Sequence, residues 1–327
     1  MNLNTTAQIP SNNGVSLTFS PSISSSASEF IFIGRKESIT ADNITSILGI
    51  KNDDVASLTI IKSTLQPIED SGKSTTYLPS THKLTVVILP SSDKITRNNH
   101  PFSPHKISES VDSLHSSARK NHIQICILDE FIKEYVGCSA AAIARSLPLY
   151  HSKSFKKSND NIAKENGVNV TYYRRAEPLD NDVLYKVAIS VAEGVRLSAY
   201  LGDMPPAELN PDTYAAKCKS IADELVANSA NVTYQEIKGD ALKDGGYGGI
   251  YGVGMAAICE PRLVIMTYTP DGTENVEHVA LCGKGVIYDT GGLSLKSRTG
   301  MVRIMIKLIK QHKLILLSCL LSLFASV

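Results

Sequence analysis

The chain has 327 residues, 43% of them hydrophobic and 20% charged. That range suits one large or two ordinary globular domains and excludes a disordered, collagen-like or many-span membrane protein. Lys and Arg number 33 against 32 Asp and Glu, a net charge of +1, so no global attraction to nucleic acid or a membrane surface follows.

Residues 1–28 are rich in Ser, Thr and Asn and lack the basic-then-apolar order of a secretory signal, so they read as a flexible start with a serine-rich patch at Ser20–Ser28. Short β-branched runs follow at Glu29–Gly34, Ser57–Ile61, Lys83–Leu89 and His122–Leu128, each with turn residues nearby, and these predict strands. Between them, Thr40–Leu48 opens on a capping threonine, and Pro104–Lys120 carries apolar positions near helical spacing. Asp129–Leu149 has acids in its first turn and Arg145 late, and also predicts a helix. Alternating strands and helices indicate an α/β fold with a mostly parallel sheet, here an N-terminal mixed α/β domain over 1–150. A polar, basic stretch begins at His151, and a connector is expected over 151–176.

A second α/β pattern starts at about residue 177. Asp180–Tyr200 predicts a helix with Val183, Leu184, Val187, Val191 and Val195 on one stripe. Asn210 before Pro211 predicts a capped helix whose buried face holds Tyr214, Cys218, Ile221 and Leu225. Strands are expected at Asn231–Ile237, Arg262–Tyr268 and Val276–Gly283, the last two joined through the Pro270-Asp271-Gly272 turn. The glycine run Gly245–Gly254 has neither G-x-G-x-x-G nor phosphate-loop spacing and reads as tight turns. Cys126, Cys138, Cys218, Cys259, Cys282 and Cys319 lie far apart, and predict reduced thiols in a cytoplasmic setting rather than a disulfide framework. There is no H-E-x-x-H, C-x-x-C or G-x-S-x-G.

The chemistry-bearing stretch is Gly283–Lys296, G-K-G-V-I-Y-D-T-G-G-L-S-L-K, directly after an apolar run. Functional groups of α/β folds gather at such strand ends. Asp289 is a hard oxygen donor suited to a divalent ion. A lysine can ligate a metal when its amine is neutral, and one left charged can polarise a carbonyl. The alternative is a glycine turn carrying two solvated lysines.

Leu281–Lys296 closely resembles the metal-binding segment of the leucyl aminopeptidase family, the M17-type dinuclear cytosol aminopeptidases. Arg196-Leu197, the Pro205–Pro211 segment and Pro261-Arg262-Leu263-Val264 resemble upstream pieces of the same family, in its aminopeptidase-like animal branch. The resemblance implies an N-terminal α/β domain, a peptidase domain entered at about 177–301, a homohexamer and peptide substrates. It also implies two divalent ions, zinc with manganese or magnesium exchangeable. Lys284 matches the lysine ligand of one metal, Asp289 the aspartate bridging both, and Lys296 the catalytic lysine.

The family also requires a further aspartate and an N-T-D-A-E-G-R segment downstream, yet from Thr290 to Val327 there is no Asp or Glu. The tail 302–327 turns basic and then apolar, and is expected to be aberrant, the product of a shifted frame or retained intron. The chain taken literally is therefore expected to be inactive. A non-catalytic scaffold derived from an aminopeptidase, and a tail-anchored membrane protein, stand as rival readings. The apolar end is short for a bilayer span of about 20 residues.

Overall fold

The computed structural model describes residues 15–68, 72–80, 82–91, 96, 104–118, 120–130, 132–149, 166–270, 278–287 and 289–300. The chain divides into two compact units, 13–193 and 194 onward.

The first unit runs β1 (Ser16–Phe19), β2 (Glu29–Arg35), α1 (Ala41–Leu48), α2 (Val55–Leu65), β3 (Lys73–Tyr77), β4 (Lys83–Leu89), α3 (Pro104–Asp112), α4 (His115–Ala118), β5 (His122–Leu128), α5 (Ile132–Ser146), β6 (Gly167–Arg174) and β7 (Glu177–Pro178). Its seven-stranded sheet has the order β1-β6-β5-β2-β4-β3, with β7 on β6. Among its described strands, β3–β4 and β6–β7 pair antiparallel and the other pairs are parallel. The central strands are buried on both faces, which is why EFIFIGR, KLTVVIL and HIQICIL read as continuous apolar runs rather than alternating ones. Edge strand β3, KSTTY, alternates between half-buried and exposed positions.

One face of this sheet sets Phe30, Phe32, Leu84, Val86 and Cys126 against Ile44 and Ile47 of α1 and Ile61 of α2. Each fully buried aliphatic or aromatic side chain of that kind contributes about 1.5–3 kcal/mol. On the other face Tyr172 of β6 packs toward α5, its hydroxyl 3.2 Å from Ser139 Oγ. Thr40 caps α1 by accepting from the Asn43 amide at 3.2 Å, and Gly49 ends it at φ 66°.

The fold departs from three local expectations. Ser57–Ile61 is helical, part of α2. Asp54 accepts from the Ser57 amide at 3.0 Å, and the buried Ser57, Ile61 and Thr64 recur at helical spacing, overriding the β-branched composition. The expected connector ends by residue 166, because 167–174 forms β6 in the sheet between β1 and β5; residues 151–165 lie outside the described residues. The serine-rich patch is a loop, but a tied one. Ser24 N–H donates to Gln124 Oε1 at 3.1 Å, and Asn169 Nδ2 donates to the Ser22 carbonyl at 3.0 Å and to Gln124 Oε1 at 2.9 Å. Gln124, Asn169 and Thr171 are buried polar groups on β5 and β6, and the loop supplies partners that keep them satisfied.

Helix α6 (Asp182–Asp203) leads into the second unit, which continues with α7 (Pro211–Ala227), β8 (Val232–Lys238), α8 (Asp240–Asp244), α9 (Gly248–Gly254) and β9 (Arg262–Tyr268). In α6 the buried positions before residue 193 are Tyr185, Ala188 and Ala192. The expected valine stripe is half-buried, and its Val183 is exposed. Asn210 and Thr213 form the capping box of α7, with the Thr213 amide donating to Asn210 Oδ1 at 3.0 Å and Pro211 in the first turn. Cys218, Ile221 and Leu225 are buried as expected, joined by Ala215 and Ala222, while Tyr214 is half-buried. Strands β8 and β9 pair antiparallel. The glycine run is only partly a turn: Gly246 has φ 82°, but 248–254 winds into α9, which buries no residue. The strand expected at Val276–Gly283 is absent over 278–283. Val279 and Leu281 are exposed there, and among the described residues no strand pairs with this stretch. Residues 271–277 lie outside the described residues.

Candidate functional site

Lys284, Asp289 and Lys296 sit in irregular backbone after β9. The chain turns sharply at Gly291 (φ 96°) and Gly292 (φ 63°). A Cβ on Gly291 would lie 2.2 Å from the Ser294 carbonyl oxygen, so only glycine fits. This turn brings Lys296 back onto Asp289. The Lys296 amide donates to the Thr290 carbonyl at 2.9 Å, and the Gly291 amide donates to Asp289 Oδ1 at 2.9 Å. Lys296 Nζ pairs with Asp289 Oδ2 and reaches the Asp289 carbonyl at 3.4 Å. The Lys296 ammonium first, and then the Gly291 N–H, hold the Asp289 carboxyl below the usual carboxylate range; the Lys284 charge adds a smaller pull in the same direction. Lys284 itself is exposed.

Ion pairs tie together the elements that precede this segment in the chain. Arg262, at the start of β9, pairs with Asp212 in the first turn of α7 and with Glu236 of β8. Lys238 pairs with Glu260 at 2.9 Å, and Tyr251 Oη donates to Asp240 at 3.0 Å. The Arg262 clamp was not legible as such, because nothing in Pro261–Val264 shows which acids the fold delivers to it.

A second charged constellation lies at the carboxyl edge of the sheet in the first unit. Strands β2 and β5 are neighbours, but the connection after β2 leads toward β4 and that after β5 toward β6. Open α/β sheets place ligand crevices at such points. Here the chain's own groups bridge it: Arg35 Nε donates to Asp129 Oδ2 at 2.6 Å and Nη2 to Oδ1 at 2.5 Å, with Asp129 fully buried. Burial pushes the Tyr135 hydroxyl up, and the Asp129 carboxylate beside it adds to that rise. Asp129 had been expected inside a helix; it precedes α5 and turns inward to the arginine.

Among the described residues no three His, Cys, Asp or Glu side chains come together as a metal site. The five described cysteines are free thiols. At the expected site the donors are one carboxylate, already bonded to an ammonium and an amide, and one exposed lysine. That set does not fit two divalent ions, each of which takes about four or more ligands. No described helix is long and apolar enough to cross a membrane.

The sequence pattern of the cytosol aminopeptidase family, catalytic domain, matches residues 196–307, a span that holds Lys284, Asp289, Lys296 and Arg262. Probable aminopeptidase NPEPL1 of Mus musculus is 34% identical over 221 residues, covering 66% of this chain and 39% of that protein. Leucine aminopeptidase 1 of Caenorhabditis elegans is 31% identical over 242 residues, 73% of this chain and 44% of that protein. The chain thus spans about two-fifths of the length of these relatives. In fold it is similar to the leucyl aminopeptidase from Leishmania major solved in complex with actinonin, with a TM-score of 0.76 at 24% identity over 96% of this chain and 59% of that one.

Proposed function

Because the chain belongs to the cytosol aminopeptidase family, we propose that its protein is a metal-dependent aminopeptidase that releases N-terminal residues from peptides. The observation that carries this is the Asp289–Lys296 turn inside the matched span, where glycine geometry places a lysine ammonium against the expected metal-bridging carboxylate. In this reading Lys284 and Asp289 belong to the metal centre, zinc or manganese with magnesium able to replace them. Lys296 turns its charge on the scissile carbonyl oxygen, stabilising the negative charge that gathers there. Residues 177–301 are then the N-terminal portion of the peptidase domain, the cytoplasm is the place of action, and a homohexamer is the assembly.

Among the described residues, the donors at this site are the polarising lysine, an exposed second lysine and a single carboxylate, short of a metal centre. That observation supports a second reading for the 327-residue chain itself, a non-catalytic binding or scaffold protein. Leucyl-amide hydrolysis with added manganese separates the two. The 327-residue chain is expected to show no turnover, whereas a longer product of the same gene that restores downstream carboxylates is expected to be active. In that longer product Lys296→Met is expected to lower kcat by about 10²–10³-fold. No hydrolysis by the longer product would sink the aminopeptidase reading, and turnover by the 327-residue chain would sink the scaffold reading.

A further inference from the structure

We infer that Lys296 serves in this chain as the resident counter-ion of Asp289, closing residues 289–296 into a clasp that forms without any divalent ion. The inference rests on Asp289 being the metal-bridging position of the aminopeptidase reading, and it concerns what occupies that position here.

Each part of the clasp is supplied by the chain. The carboxylate has one oxygen on the Gly291 N–H at 2.9 Å and the other on Lys296 Nζ. The backbone is closed by the Lys296 N–H on the Thr290 carbonyl at 2.9 Å. The turn needs a residue without a Cβ at 291, and the sequence has glycine there. Charge points the same way. Both Lys284 and Lys296 act on Asp289, so an arriving divalent cation has to compete with two ammonium groups for one carboxylate. Among the described residues no cluster of three metal-binding side chains includes Asp289. An ammonium at the end of a flexible stem can take a cation's place on a carboxylate because it is a compact point charge with three donors.

The test uses the full 327-residue chain as wild type, Asp289→Asn and Lys296→Met. Asparagine keeps the oxygen that accepts from Gly291 while removing the charge, and methionine keeps most of the lysine's length. Each protein is dialysed against manganese or EDTA, its metal measured by mass spectrometry, and amide exchange followed at Gly291 and Lys296. The expected result is substoichiometric manganese in all three proteins and, in the wild type, equal protection of the two amides in both solutions. Lys296→Met is expected to lower that protection by about two- to fivefold whether or not manganese is present, the scale of a solvent-accessible ion pair. One manganese per wild-type chain that is lost in Asp289→Asn would overturn the inference. So would protection that arises only with manganese, or protection unchanged in Lys296→Met. None of these outcomes bears on whether a longer product of the gene cleaves peptides, so the two readings fail separately.

Discussion

Asp129 is a carboxylate with no exposure to water, and its stability depends on the fork that Arg35 extends to it across the β2–β5 boundary. A buried charge left without its partner is costly, so Asp129→Ala is expected to lower stability by about 3–5 kcal/mol in urea unfolding, whereas replacing both partners by Leu and Met costs far less. The proton chemistry of Arg35 adds no pH dependence in the ordinary range: Asp129 raises an already very high guanidinium pKa, so this contribution is lost only in strong alkali. Asp289 behaves in the opposite sense. Its carboxyl titrates below the usual range because the charged form is bonded, so the clasp is fully present above the unfolded carboxylate pKa and weakens as pH falls through the lowered folded value. Amide exchange at Gly291, measured from neutral pH into acid, is expected to accelerate beyond the intrinsic rate only in the acid limb; protection unaffected by acid would show that the carboxylate is not what holds the turn.

At the level of elements, capping decides where helices begin. Asn210→Ala removes the acceptor for the Thr213 amide and the base of the α7 capping box. It is expected to cost about 1 kcal/mol, read as a lower urea midpoint. Such signals are why much of the fold was legible: Thr40, Asn210 and Pro211 announce their helices, and runs such as Lys83–Leu89 and Arg262–Tyr268 are apolar enough to declare strands. The misses have a common physical cause. Strand β6, GVNVTYYR, breaks its buried Val and Tyr positions with Asn169 and Thr171, which are satisfied by Gln124 and Ser22, partners far away in sequence, so it does not read as one apolar run. Segment 57–61 looks extended by composition, yet the Asp54 cap and the burial of Ile61 turn it helical. At the site, Lys284, Asp289 and Lys296 were found through their resemblance to a family. The glycines between them did foretell a tight turn, but which group would meet the carboxylate depends on backbone closure that spacing alone does not encode.

Across the whole chain, apolar exposure is uneven. Ile258, Val279, Leu293 and Leu295 are at least 72% exposed, and all lie in the second unit, where β9 is half-buried along most of its length. Apolar surface of this kind drives association. The purified chain is expected to bind a hydrophobic dye and to sediment as more than a monomer, and Ile258→Glu with Leu293→Glu is expected to diminish both. A monomeric, dye-silent wild type would show that this surface is covered. The sheet of the first unit has a different consequence, one of timing. Strand β1 begins at Ser16 yet pairs with β6, Ser16 opposite Gly167, so its hydrogen-bonding partner is made some 150 residues later. During synthesis β1 has no strand of its own sheet to join until β6 emerges, and until then the edge of β5 that β6 will cover is also open. Long-range parallel pairing of this sort forms slowly. The nascent first unit therefore passes through a window in which a sticky strand edge and an idle N-terminal strand coexist, and chaperone engagement should be strongest between synthesis of His122 and Arg174.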